Sequence, residues 1–209
     1  MRTSNYDITR DKMEKKFLEY DQSRMIKKFA LEYDDDYIYI TFISRLYRVG
    51  RKTGRAEWTE DGFKTAVHGG FNDSMTIFDV LCCSEDDCRL SGRFTSVNML
   101  KGTAQTQHLG EGLNQSIADS FSGHMEELKN ALLSLGGRQN ALRTSADVDF
   151  TVYAFPFLPL EFRFWDADDE FPASMSILMD ENILSYMHYE TTYYMVGHLL
   201  DRITELMDK

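Results

Sequence analysis

The chain has 209 residues, 43% of them hydrophobic and 13% aromatic, enough to bury roughly 70% of the unfolded surface without metal or disulfide staples. Asp and Glu number 34 against 23 Lys and Arg, a net charge of −11. Nucleic acid is therefore not an expected partner, because binding it needs a basic stripe, and the densest basic run, Arg45 to Arg55, reads as a solvated hairpin.

The segment from Ile8 to Glu32 places Met13, Phe17, Leu18, Met25 and Phe29 among charges, which predicts one or two amphipathic helices broken near Asp21 and packed on a sheet. Tyr37 to Val49 is rich in β-branched and aromatic residues, and Arg51-Lys52-Thr53-Gly54 before Arg55-Ala56-Glu57-Trp58 reads as a hairpin turn that opens a meander. Asp73 or Ser74 caps a helix carrying Met75, Phe78, Leu81 and Cys82, and a shorter strand runs from Phe94 to Leu100. Ile117, Phe121, Met125, Leu128, Leu132 and Leu135 recur at helical steps, with Ser116 as cap and Gly136-Gly137 as stop. Val148 to Ala154 and Leu160 to Phe164 alternate apolar and polar residues, so they form two strands, with Pro156 and Pro159 at the corner between them or at an edge. Met175 to Met179 is a weaker strand, and Glu190 to Met207 is a closing amphipathic helix. The expected fold is α+β, a mainly antiparallel sheet packed by amphipathic helices. No repeat or linker divides the chain, so a single domain over residues 1–209 is expected.

No window approaches the roughly 20 apolar residues that cross a bilayer, and Met1 to Lys16 holds no signal-peptide apolar stretch. Cys82, Cys83 and Cys88 cannot all pair within one chain, which fits reduced thiols. The expected compartment is the cytoplasm, with no membrane partner.

Chemistry concentrates in Trp165-Asp166-Ala167-Asp168-Asp169-Glu170-Phe171-Pro172, where four carboxylates lie between aromatic residues. Hard divalent ions take several oxygen ligands from such a loop, which makes Asp166, Asp168 and Glu170 candidate metal ligands and Trp165 and Phe171 candidate ligand contacts. The same crowding also suits an acid/base pair or a solvated turn, and the calcium-loop pattern is absent. Cys82, Cys83 and Cys88 read as structural thiols: neighbouring helix positions point about 100° apart, a fourth cysteine is missing, and Glu85, Asp86 and Asp87 oppose thiolate formation. The five histidines form no metal signature, and His68 before Gly69-Gly70 is a turn or core residue ahead of a ligand contact. Neither a catalytic triad nor a nucleophile elbow can be assembled, and no catalytic residue is assigned. Gly110-Glu111-Gly112 before a helix is a poor phosphate loop, lacking a third glycine and a following lysine. The Tyr and Met cluster from Tyr186 to Met195 reads as core or interface ahead of a pocket lining.

Pro156-Phe157-Leu158-Pro159-Leu160, Phe164-Trp165, Asp168 to Ser174 and Ile177-Leu178-Met179-Asp180 together resemble an uncharacterised prokaryotic family catalogued only as domain of unknown function 3786, found mostly in anaerobes. Asp73 to Leu81, Ser91-Gly92-Arg93-Phe94 and Leu135-Gly136-Gly137 extend the likeness over most of the chain. The resemblance carries no established activity or cofactor. It draws attention to Trp165, Asp168, Glu170, Phe171 and Pro172 as a shared loop. Some relatives carry a cysteine-rich iron–sulfur segment that this sequence lacks. The resulting expectation is a small-ligand or metal-binding module in anaerobic metabolism. The alternatives are a metal-dependent or carboxylate-based enzyme using Asp168 and Glu170, and an interaction subunit docking on a redox protein. The expected partners are a small molecule, a divalent metal or that redox protein.

Overall fold

The computed structural model describes residues 4–100, 111–141 and 144–208. Among them, six helices and two antiparallel sheets, of four and five strands, give an α+β fold. The chain divides into two compact units. One comprises the residues up to Arg89 with Leu184–His198, and the other Leu90–Ile183 with the chain from Leu199 on. None of the described helices is long and apolar enough to cross a membrane.

In the first unit the expected break near Asp21 separates α1 (Asn5–Phe17) from α2 (Gln22–Phe29). Asp21 causes it by accepting the Ser23 and Arg24 amides at 2.9 and 3.2 Å, which caps α2. A meander follows: β1 (Tyr37–Phe42), β2 (Arg45–Gly50), β3 (Ala56–Thr59) and the short β4 (Val67–His68) lie side by side in that order. The β1–β2 register leaves a two-residue turn, Ile43-Ser44, with both backbones left-handed (φ 43° and 57°). Such a turn matches strand twist, yet a β-branched residue disfavours it, so the pattern alone gives no sign of it. Next comes α3 (Phe71–Cys83), which α1 packs against, with the Phe17 and Phe78 rings 5.8 Å apart. This helix starts earlier than expected. Gly70 is its cap, and Asp73 and Ser74 are buried in the first turn, where Asp73 accepts the Tyr47 hydroxyl at 2.9 Å.

Gly54 closes the β2–β3 connection with φ +70°, and a Cβ there would lie 1.8 Å from the Glu14 carbonyl oxygen of α1. Gly62 has a similar φ of +71° and open space around it. Gly62→Ala therefore costs only the left-handed backbone, about 1 kcal/mol, whereas Gly54→Ala adds a backbone collision and is expected to cost roughly 3 kcal/mol or more. Comparing thermal midpoints of the two variants checks this, and equal losses would contradict the close approach of α1.

In the second unit, β5 (Phe94–Ser96), β9 (Ser174–Asp180), β8 (Leu158–Trp165), β7 (Val148–Phe155) and β6 (Arg138–Gln139) form the five-stranded sheet in that order. Along β8 Leu158, Leu160, Phe162 and Phe164 are buried and the residues between them are partly exposed, the period of two read from the sequence. Pro156 lies in the β7–β8 corner, and Pro159 pairs with Tyr153 where the register slips. The strand expected over Phe94–Leu100 ends at Ser96, after which Val97–Met99 form a 3₁₀ turn. The helix expected from Ser116 to Leu135 is two helices, α4 (Glu111–Phe121) on β9 and α5 (Met125–Ser134) on β7, so Ser116 lies inside α4. Gly123 breaks the run with φ +77°, and its amide donates to Asp166 at 3.1 Å. The predicted stop is in place: Gly136 has φ +72°, and the Gly137 amide reaches the Leu132 carbonyl at 2.9 Å. Gly110 of the phosphate-loop reading lies outside the described residues. The last helix, α6 (Tyr189–Met207), supplies residues to both units.

Candidate metal centre

The acidic loop joins β8 to β9. Asp166 Oδ1 accepts the Ser122 hydroxyl at 2.7 Å and the Gly123 and Ala167 amides at 3.1 and 2.8 Å. Asp168 Oδ1 accepts the Glu170 and Phe171 amides at 2.8 and 2.7 Å, an Asx turn. Trp165 Nε1 donates to Ser145 Oγ at 3.1 Å, Glu170 is exposed, and Phe171 is 66% exposed. Two of the three carboxylates thus fold the loop onto its own backbone and onto the α4–α5 break.

Ser122, ahead of the other contacts, holds the Asp166 carboxyl below the ordinary 3.8. A depressed folded value means that this contact contributes stability above the unfolded value and loses it as pH falls through the folded one. Ser122→Ala is expected to raise the Asp166 midpoint, read from its carboxyl carbon resonance in an acid titration. An unmoved midpoint would remove Ser122 as the cause.

Among the described residues, ligand atoms of three His, Cys, Asp or Glu side chains come within 4.8 Å of one another in two places, Asp79–Cys83–His188 and Asp11–Glu14–His68. Asp166, Asp168 and Glu170 are not a third. The second group joins His68 Nε2 to Glu14 Oε1 at 2.6 Å, and the Arg10 guanidinium already sits on Asp11 at 3.1 Å. The His68–Glu14 contact ties α1 to β4.

The first group lies wholly in the first unit and mixes oxygen, sulfur and nitrogen donors. Asp79 and Cys83, four apart, share one face of α3. The Asp79 side chain is only 10% exposed, so its charge needs partners, and His188 supplies two: its amide donates to Oδ2 at 2.7 Å and its Nδ1 meets Oδ1 at 2.6 Å. His188 is fixed in turn because its carbonyl accepts the Thr191 amide at the start of α6 and because the Glu85 amide binds the Ser185 carbonyl at 2.8 Å. The loop after Cys83 is gripped by α2, through Lys28 Nζ on Ser84 Oγ at 2.7 Å and Arg24 Nε on Asp86 at 2.5 Å.

Cys83 is exposed as a residue, but partial desolvation of its sulfur, then the Asp79 carboxylate beside it, pushes the thiol up. Burial, ahead of the neighbouring Cys83 and Asp79, pushes Cys82 up to about 12, and that thiol is an inert core residue, as expected from the sequence. A nucleophilic thiol needs a histidine between it and the acid, and a lowered pKa. Here the carboxylate is the group that faces both the thiol and the imidazole, an order that suits ligation.

A family model described as Domain of unknown function (DUF3786) matches residues 21–202. The chain belongs to this family. Among curated proteins and solved structures no similar chain matches. The matched span of this DUF3786 chain contains Asp79, Cys83 and His188 as well as the whole acidic loop. Sequence reasoning assigned the chemistry to the loop and overlooked the triad. Asp79 and Cys83 do stand at i, i+4, but His188 is 109 residues from Asp79 and has no local partner that would mark it.

Proposed function

We propose that this DUF3786 chain is a metal-binding module that holds one divalent ion between Asp79, Cys83 and His188. The observation that carries this reading is the convergence of three chemically different donors within 4.8 Å inside one compact unit. A carboxylate, a thiolate and an imidazole form the donor set of zinc and of iron(II)-like or cobalt(II)-like ions, and the sulfur selects against calcium and magnesium. The ion would replace the contact between Asp79 and the His188 ring, and its charge would balance the carboxylate and the thiolate. A reducing cytoplasmic setting, expected from the three unpaired cysteines, keeps Cys83 competent as a ligand.

Elemental analysis of the full chain, loaded with zinc and dialysed, tests this. One ion per chain in the parent and none in the Cys83→Ser, His188→Gln double variant supports the module; an equal zinc content in both would refute it.

A second reading places a small organic ligand at the loop between β8 and β9, and the 66% exposure of Phe171 next to its acidic neighbours favours it. Phe171→Ala is the variant that separates the two readings, because it leaves the triad untouched.

A further inference from the structure

We propose that Asp11 and Glu14 of α1 and His68 of β4 bind a second divalent ion, of the manganese(II) kind, and that this ion fixes α1 to β4. The inference stands independently of the zinc reading, with which it shares no residue. One ligand atom from each of the three side chains lies within 4.8 Å of the others. Asp11 and Glu14, three apart, share a face of α1. The imidazole comes from a strand 54 residues beyond Glu14, and its Nε2 meets Glu14 Oε1 at 2.6 Å. Two carboxylates and an imidazole, with no sulfur, suit manganese-like ions that complete their shell with water. Asp11, whose side chain is 51% exposed, leaves that water access.

Charge points the same way. Asp7, Asp11 and Glu14 recur at steps of four and three along α1, and like charges at that spacing repel. Against these three carboxylates the same face sets one guanidinium. Arg10 meets Asp7 Oδ1 at 3.2 Å and Asp11 Oδ1 at 3.1 Å, and its NH1 also donates to the Gly69 carbonyl at 3.2 Å. Both of its bonds to Asp11 go to Oδ1, so Oδ2 keeps its lone pairs for an ion. A cation there offsets the negative charge that Arg10 leaves uncompensated on this face of α1. The fixed Arg10 charge beside it also weakens the site, so this ion exchanges on dialysis, whereas zinc on the sulfur-containing set stays. Asp11 and Glu14 precede the span 21–202 matched by the family, and His68 lies inside it. The ion therefore ties a helix outside that span to a strand within it.

Manganese(II) itself is the probe, added to the full chain while the ring proton resonances of His68 are followed, because a paramagnetic ion broadens nuclei close to it. The expected result is broadening of His68 well below one equivalent, and about tenfold more manganese for the same broadening in Asp11→Asn. That variant keeps the His68–Glu14 contact, so unchanged metal-free His68 shifts together with a weakened response mark the loss of a ligand and not of the fold. Hydrogen exchange over residues 5–17 is expected to slow with manganese in the parent and not in Asp11→Asn. His68 left sharp while manganese broadens His188 overturns this inference and leaves the zinc module standing. Equal broadening of His68 in the parent and in Asp11→Asn overturns the ligand set, and exchange in α1 that manganese does not slow overturns the fixing of the helix.

Discussion

Replacing Asp180 with alanine is expected to destabilise the second unit by about 3–5 kcal/mol, the size seen when a buried charged network loses one side. Asp180 ends β9 with 0% exposure, and its carboxylate is one of the best-satisfied groups in the chain. Oδ1 accepts the Ser91 and Asn182 amides at 2.9 and 2.8 Å, and Oδ2 accepts the Gly92 amide at 2.8 Å. These bonds fold residues 91 and 92 against the end of β9, and Glu181 continues the grip through its amide on the Arg93 carbonyl at 2.9 Å. Only then can Phe94 pair with Asp180 and begin β5. Alanine would leave three amide donors without acceptors, each costing about 1–3 kcal/mol where water cannot replace the carboxylate. Asparagine keeps one acceptor oxygen and should cost less than alanine. Thermal unfolding of the two variants checks the order and the size; an alanine loss below about 1 kcal/mol would mean that water reaches the site.

His188→Gln and Cys83→Ser are each expected to weaken zinc binding by about a hundredfold or more, since even residues that only orient ligands change metal affinity 10- to 100-fold. The stability of the metal-free chain should change little in Cys83→Ser, because Cys83 is exposed. His188→Gln removes an imidazole from the Asp79 carboxylate but keeps the backbone amide bond to it. Asp79→Leu is a different kind of probe: it deletes a buried acceptor for the His188 amide, so it disturbs the start of α6 together with the ligand set. Zinc affinity by competition with a chelator, paired with metal-free thermal midpoints, separates loss of a ligand from loss of the fold. Affinities within twofold of the parent for both Cys83→Ser and His188→Gln would exclude them as ligands.

Most of the architecture follows from periods that the side chains display locally. The alternation from Leu158 to Phe164 is that of the central strand β8, and the charge-and-hydrophobe pattern of α6 matches its observed span almost to the residue. Two of the misplaced helix boundaries coincide with a side-chain contact from a distant segment. The heptad-like run from Ile117 to Leu135 is interrupted at Gly123, whose φ is +77°, and Asp166 of the β8–β9 loop accepts Ser122 and Gly123 there. Gly70 rather than Asp73 caps α3, because Asp73 is drawn inward by the Tyr47 hydroxyl. The Ile43-Ser44 turn carries none of the Asn or Gly residues that usually announce one.

The same reasoning explains the site. Acidic density made the loop from Asp166 to Glu170 conspicuous in the sequence, yet Asp166 and Asp168 are held there by nearby hydroxyl and amide donors. Cys83 looked unfavourable because of the three acids that follow it, but the structure ties Asp86 to Arg24 and brings His188 in from the start of α6. A pair at i, i+4 is too common on helices to single out without its third member.

Calorimetric titration of zinc into the metal-free full chain, with Cys83→Ser as the companion, tests the metal module most directly. The account predicts one ion per chain in the parent, with proton release that shows as a buffer-dependent heat because the thiol must ionise to bind, and greatly weakened binding without the sulfur. No saturable heat in the parent, or an identical isotherm in Cys83→Ser, would contradict it.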